Sequence, residues 1–341
     1  MEFCQVRHTR ATLGSLCNCE LDADRTASRS YWTYQFCACL SVIRWLIMAL
    51  TIAFSMCGGG ICAASKSVSK CKAHLAGNSV IGADSLISAV KQQLDDGEYE
   101  TAIVALSKAL PICADSARLY FYRSLAYLHM SSLDSSLADL NSSLRIAPLN
   151  VFATYNRGIV KARTGDTAGA IDDYTKAIKL DSSYARAFCN RAILYEHTGC
   201  YGAADSDFFR ATVLAPDDAL SLANWADLML RTGRPDSAIL LCRVALEIAP
   251  LLPLAHENLG TGFFMLGHLD SAQLALEHAI RLDSTRCDAF ITLGEIVESK
   301  GQLDSATQCY RHAIGLIPGE SVEEKANLLE RIRRIIERRV N

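Results

Sequence analysis

The chain has 341 residues, of which half are hydrophobic and 21% are charged, so its composition excludes an intrinsically disordered protein. Its net charge of −3 excludes the strongly basic balance that is typical of general nucleic-acid binding, and we expect no nucleic-acid partner. The 14 cysteines include no CxxC pair, so the usual spacing of a zinc site is missing and we expect no metal ion or other cofactor. Two CxC pairs before residue 40 are the one alternative for metal binding.

Residues 45–64 carry no charge for twenty positions, which would rise about 30 Å as a helix, enough to cross a bilayer core. The run follows Arg44, is interrupted by glycines at 58–60, and ends in the small residues of Cys62-Ala63-Ala64, a pattern typical of a secretory signal. We predict that residues 42–64 are a signal peptide or a membrane anchor, and that the protein is exported or membrane-anchored rather than cytoplasmic. Residues 65–82 are small and polar and predict a linker.

Residues 1–41 are rich in cysteine and lack amphipathic periodicity, and they place the signal-like stretch unusually far from Met1. One interpretation is that translation starts near Val42 or Met48, so that this extension is not made. The other is a genuine, poorly ordered cytoplasmic tail that precedes a membrane anchor.

A spacing of 34 residues recurs along residues 83–320. Glycine occupies six positions of one grid and serine the remaining one: Gly97, Ser131, Gly165, Gly199, Gly233, Gly267 and Gly301. Alanine or serine fills two grids that lie seven residues apart, beginning at Ala102 and Ala109, and proline recurs on a fourth at Pro148, Pro216, Pro250 and Pro318. Four grids in phase over seven copies predict a tandem structural repeat.

Each grid position has a physical reason. Glycine between two apolar-periodic stretches supplies the left-handed residue that ends a helix. The two small residues share one face of the following helix, where they let a neighbouring helix approach closely. Proline then ends that helix, because it lacks an N–H group and clashes with the preceding turn.

The repeat resembles the tetratricopeptide repeat, a helix–turn–helix unit of 34 residues. Residues 171–183 (IDDYTKAIKLDSS) and 269–284 (LDSAQLALEHAIRLDS) carry the resemblance most strongly. It implies an all-α fold, a right-handed α-solenoid of seven helical hairpins at 83–116, 117–150, 151–184, 185–218, 219–252, 253–286 and 287–320. The first copy is the least regular, with Pro111 early in its closing segment.

Residues 321–341 predict one further helix that caps the array. Ser321 and Glu324 have the spacing of a capping box, and an apolar stripe faces an arginine-rich side. A polar outer face on a terminal repeat keeps an array soluble. The alternative is a basic surface that binds an acidic partner or anionic lipid.

The resemblance implies that the first helices line a concave groove that holds an extended peptide or a partner helix. The sixth residue of four successive copies, which faces this groove in the family, is asparagine: Asn156, Asn190, Asn224 and Asn258. A row of amides can pair with the backbone of an extended chain, although asparagine is also simply common in this slot. Further groove candidates are Phe121, Tyr122, Tyr155 and Arg186, followed by Arg163, His197 and Glu257, and their charges show no dominant sign.

No phosphate loop, HExxH or GxSxG motif is present, so the sequence predicts no catalytic residue and no enzyme. We therefore expect a protein–protein interaction scaffold whose partner is a protein or an extended peptide, with membrane association through residues 42–64. The alternatives are a peptide-recognition module of an envelope or secretion complex and a cytoplasmic adaptor. The sequence predicts no oligomeric state.

Overall fold

The structure is a computed structural model that describes residues 83–317 and 322–340. Within these ranges every regular element is an α-helix, and there are fifteen. The predicted N-terminal extension, signal or anchor segment and linker lie outside the described residues. The all-α class and the repeated helical hairpin predicted from the sequence are confirmed.

The described residues fall into two compact units, one ending at Ala153 and the other beginning at Thr154. The first contains α1 (Ala83–Asp95), α2 (Tyr99–Ala109), α3 (Ser116–His129) and α4 (Leu133–Ile146). The boundary between the two units falls within helix α5 (Val151–Arg163). The second unit continues with α6 (Thr167–Leu180), α7 (Ala185–His197), α8 (Tyr201–Leu214), α9 (Ala219–Arg231), α10 (Pro235–Ile248), α11 (Pro253–Met265), α12 (Leu269–Leu282), α13 (Cys287–Ser299), α14 (Leu303–Leu316) and α15 (Val322–Val340).

A left-handed residue joins the two helices of each hairpin. Its φ lies between +73° and +86° at the six glycines of the grid. Ser131 takes the same conformation with φ +58°, although its Cβ makes this conformation costly. The repeat therefore requires the left-handed turn even where the sequence does not supply glycine.

The second helices of copies two to seven end at the same grid position whether or not a proline follows. Where serine replaces that proline, an aspartate forms the turn instead. Asp181 Oδ1 accepts a hydrogen bond from the Ser183 N–H at 2.9 Å, and Asp283 Oδ1 accepts one from the Thr285 N–H at 2.9 Å. Such a side-chain turn competes with helix continuation as a proline would. The helix α2, with Pro111 beyond it, ends early and has 11 residues where the other second helices have 14.

The small residues of the repeat lie where the two helices of a hairpin meet. A Cβ added at Gly158 would lie 2.6 Å from Tyr174 Cε1, and one added at Gly260 would lie 2.6 Å from Leu276 Cγ. The side chains of Tyr174 and Leu276 are fully buried. The large residue on the second helix therefore occupies the space that the glycine leaves on the first.

Three hairpins share an ion pair between their helices, which we name the arginine–aspartate clip. It joins Arg123 to Asp139, Arg157 to Asp173, and Arg191 to Asp207, always 16 residues apart. Each guanidinium donates to both carboxylate oxygens at 2.6–2.9 Å. Such two-pronged, charge-assisted bonds fix the orientation of one helix on the other.

The helix α15 packs on the last hairpin. Leu328, Ile332 and Ile335 are buried in a core cluster that also contains Tyr310. Arg331 donates to Glu298 at 2.8 Å and to Glu295 at 2.8 Å. The predicted capping helix is thus held by an apolar stripe and by an ion pair, while the proposed capping box at Ser321 lies outside the described residues. No helix of the described ranges combines the length and apolar character that crossing a bilayer needs.

Candidate binding surface on the first helices

The first helices of four successive hairpins, α7, α9, α11 and α13, contact one another in sequence order. Each has 13 residues. Because second helices pack against the other side of these hairpins, side chains on the first helices form one shared surface, which we name the first-helix surface.

The four predicted asparagines are all buried at the first helices. Asn190 Nδ2 donates to Tyr155 Oη at 2.9 Å, and Asn258 Nδ2 donates to the Ala223 carbonyl at 2.9 Å. These two amides thus point toward the preceding first helix. Asn224 Nδ2 is buried and has no hydrogen-bond partner, and Asn156 is 6% exposed.

The other predicted site residues lie in both units. In the first, Phe121 and Tyr122 are buried on α3, with ring centroids 5.3 Å apart. In the second, Tyr155 is buried against the edge of Tyr184, and Arg186 is partly exposed on α7. Contact of these eight residues with a partner stays a prediction.

Four carboxylates on the first-helix surface, one from each helix, form what we name the acidic cluster: Glu196, Asp227, Glu257 and Asp288. Two of them are nearly fully buried, Glu196 on α7 and Glu257 on α11. Asp227 on α9 keeps 32% of its side chain exposed, and Asp288 is exposed in the first turn of α13. Two guanidinium groups, of Arg231 and Arg286, lie among them.

The two arginines pair more closely with some of these carboxyls than with others. Arg231 Nε lies 3.0 Å from Glu196 Oε1 but Arg231 Nη1 lies 3.9 Å from the nearer oxygen of Asp227. Arg286 pairs with Glu257. Four carboxyls and two guanidiniums would leave an excess of negative charge on this surface if all of them were ionised.

Burial raises the pKa of three of these carboxyls, those of Glu196, Asp227 and Glu257. Burial, followed by the charge of Asp227, raises the pKa of Glu196 to about 8, although Arg231 opposes the shift. Burial also raises the pKa of Asp227, and it raises that of Glu257 to about 7 against the opposing charge of Arg286. Close carboxyls cannot all ionise in a desolvated site, so part of the cluster is protonated near neutral pH.

The sequence interpretation found Glu257 but missed the rest of the acidic cluster. Its members are 30 or 31 residues apart, three or four short of the 34-residue repeat. They therefore step back by one helical turn on each successive helix and never share a grid position. A search for acids at the repeat length minus one turn would have found this diagonal line.

Comparisons with known proteins agree with this architecture. The repeated hairpins define the class of protein, a helical-repeat protein. Residues 162–199 match the family model described as TPR repeat, and residues 288–320 match that of the tetratricopeptide repeat. The TPR repeat-containing protein MJ1428 of Methanocaldococcus jannaschii is 30% identical over 73 residues, which are 21% of this chain and 13% of that protein. The chain therefore contains tetratricopeptide repeats, matched at residues 162–199 and 288–320.

Solved structures of the same fold are similar over most of the array. The Cut9–Hcn1 hetero-tetramer of the APC/C gives a TM-score of 0.62 at 16% identity, covering 72% of this chain and 48% of that chain. A tetratricopeptide repeat protein from Parabacteroides merdae gives 0.58 at 19% identity, covering 72% of this chain and 97% of that one. The chain spans about half the length of the Cut9–Hcn1 chain it matches and a small part of the Methanocaldococcus protein.

Proposed function

We propose that this protein is an interaction scaffold that binds a peptide or a partner protein on its first-helix surface. The proposal depends on one observation, the line of carboxyl and amide groups that runs over four adjacent first helices. Repeat arrays use such extended surfaces for binding. The tetratricopeptide repeat is generally a non-enzymatic scaffold, and the proposal assigns no reaction to the chain.

A similar array supports this use. The Cut9–Hcn1 structure, with a TM-score of 0.62, is that of a hetero-tetramer, so a protein of this fold is found there in an assembly with a second protein. The buried polar groups of the first-helix surface add a local reason. Unsatisfied or partly protonated groups are costly in a closed core, and a partner that pairs with them recovers that cost.

Binding is tested by selection from a display library of random peptides on the purified full chain. We expect peptides that share a motif, and we expect Asn224→Ala to weaken their binding, because the amide of Asn224 is available for a new bond. Asp172→Asn, an exposed change on the second helix α6, is the control. A selection that enriches no motif, or peptides that bind the Asn224 variant as well as the native chain, would contradict the proposal.

We further propose that the scaffold acts as an exported or membrane-tethered protein. The support is the uncharged run at residues 45–64, which lies outside the described residues. N-terminal sequencing of the protein from its native cells, together with membrane fractionation, distinguishes a cleaved signal from a retained anchor. A soluble chain inside the cell would overturn the location and favour a cytoplasmic adaptor, while the binding proposal would stand.

A further inference from the structure

We propose that the acidic cluster binds the lysine or arginine side chains of an extended peptide. This inference rests on the proposed function and names the chemical class of its partner. The cluster comprises Glu196, Asp227, Glu257 and Asp288, one on each of four adjacent first helices.

Charge complementarity favours a cationic ligand over a neutral or acidic one. The cluster has four carboxyls against the two guanidiniums of Arg231 and Arg286. Asp227 is only loosely paired with an arginine, since Arg231 lies 3.9 Å away and is engaged with Glu196 at 3.0 Å. An arriving ammonium or guanidinium group would replace the protons that now reduce the repulsion among these carboxyls.

A second observation points to a ligand with a peptide backbone. Asn224 is 6% exposed, and its Nδ2 donor has no partner, whereas the equivalent donors of Asn190 and Asn258 are satisfied. Asn224 lies one turn before Asp227, on the same face of α9. A buried amide without an acceptor is unusual in folded proteins. A small rotation of this side chain would offer its N–H to a backbone carbonyl of a chain that follows the acidic cluster.

The geometry of the line sets the spacing of the basic residues. Adjacent helix axes lie about 8–10 Å apart, and the line shifts along the helices by one turn of about 5 Å at each step. The backbone positions of the line are thus about 10–11 Å apart from one helix to the next, while the carboxyls themselves lie closer together, with Glu196 and Asp227 hydrogen-bonded to each other. An extended chain advances about 3.3 Å per residue, so every third residue of the peptide meets the next first helix of the line.

The test uses three labelled peptides of about twelve residues, a length that spans the line at the extended-chain rise. The first has lysine at every third position among serine and alanine, the second has glutamine in place of lysine, and the third has the same lysines in one block. Fluorescence anisotropy with the full chain at about 0.15 M salt measures affinity where exposed charges are screened. We expect the spaced peptide to bind at least about tenfold more tightly than either of the others.

Variants of the protein link this binding to the cluster. Asp227→Asn with Glu257→Gln should weaken binding of the spaced peptide at least about tenfold, because both changes remove charge and keep size. The matched control, Asp172→Asn with Glu247→Gln, removes the same charges from exposed positions on second helices and should change binding less than about twofold. If the first pair unfolds the chain in a thermal melt, Asp288→Asn replaces it, since this side chain is exposed and its loss should weaken binding by about threefold.

The outcomes separate the two proposals. Equal affinity for the peptide with spaced lysines and the peptide with its lysines in one block would indicate general charge attraction and would overturn the inference. Equal effects of the cluster variants and the control variants on binding would overturn it as well. If the library selection yields neutral or acidic peptides that depend on Asn224, the scaffold stands and the basic-peptide inference falls. If no peptide of any class binds, both fall.

Discussion

Ser131 holds a conformation that glycine holds in six other copies. Its φ of +58° lies in the left-handed region, which costs a residue with a Cβ about 1–2 kcal/mol. Its N–H donates to the Leu128 carbonyl at 3.1 Å, so the turn is closed in spite of this cost. The chain therefore stores a small strain at one hairpin.

Replacing this residue should release that strain. We expect Ser131→Gly to raise the free energy of unfolding by up to about 1 kcal/mol, because the gain in the turn exceeds the added freedom of glycine in the unfolded chain. Urea unfolding followed by circular dichroism measures the change. Gly165→Ala, which places a Cβ at φ +86°, is the reverse change and should destabilise. A loss of stability in Ser131→Gly would show that the serine makes a contact that outweighs its strain.

The sequence predicts single site residues only in part. The repeat places Asn190 and Asn258 on the first helices, because a grid position fixes the face of a helix. It does not fix which neighbour a side chain meets, and these amides bond to the preceding first helix rather than stand free. The acidic cluster escaped the same reasoning, because its members occupy a different grid position in each copy and meet only when the helices are stacked.

At the scale of helices, the arginine–aspartate clip of one copy is replaced by apolar residues in a later copy. Arg191 and Asp207 pair within one hairpin, and Arg191 also donates to Thr175 of the preceding second helix at 2.9 Å. The same two positions hold Leu259 and Ala275 two copies later. Two solutions, one polar and one apolar, thus serve one junction.

Replacing both Arg191 and Asp207 should cost less stability than replacing Asp207 alone. We expect Asp207→Leu to lower the free energy of unfolding by about 2–3 kcal/mol, because it leaves a half-buried guanidinium without its carboxylate. Arg191→Leu together with Asp207→Leu should recover most of this loss, since replacing both partners of a buried ion pair by apolar residues is often neutral or stabilising. Urea unfolding of the single and double variants checks this. A double variant less stable than Asp207→Leu alone would contradict it.

Helix positions follow closely from the sequence, because the signals for them are local. A glycine ends the first helix of a hairpin, and an acidic residue often lies in the first turn of the second helix. Both signals act on the neighbouring backbone, so they can be recognised from the sequence alone. The clip was not predicted. Its two residues are 16 apart on different helices, and recognising them requires knowing that those helix faces meet.

For the whole molecule, buried carboxyls tie stability to pH. The pKa of Glu196 is raised to about 8 by burial and by Asp227, so the folded protein keeps a proton that the unfolded chain releases above its ordinary pKa near 4.5. Folding is therefore favoured by this proton at about pH 5, and that contribution is lost as pH rises through about 8.

A variant without this titration should be less sensitive to pH. We expect Glu196→Gln to gain stability relative to the native chain as pH rises from about 5 to about 8, because glutamine binds no proton in either state. The measurement is urea unfolding of both proteins across this range. Glu247→Gln, at an exposed position, should keep the native pH dependence. Parallel stability curves for Glu196→Gln and the native chain would contradict the raised pKa.

The fold of the described residues was open to prediction, whereas the partner of the protein was not. Seven copies of a helix-length pattern admit few architectures, because each hairpin can bury its apolar face only against the next one. A partner, in contrast, depends on a surface assembled from several copies, and fold alone does not imply function. The first-helix surface is our proposal for that binding site, and the proposed location of the protein depends on residues 42–64.

The diagonal course of the acidic cluster sets an upper limit to its reach. Glu196 is the second-last residue of α7, and Asp288 is the second residue of α13. Each step between copies uses up one turn, so a first helix of 13 residues accommodates three steps, which join four carboxyls, and no more. An eighth copy would lengthen the protein without extending this line. The footprint on a bound chain is therefore fixed by the length of a single helix, whatever the number of repeats.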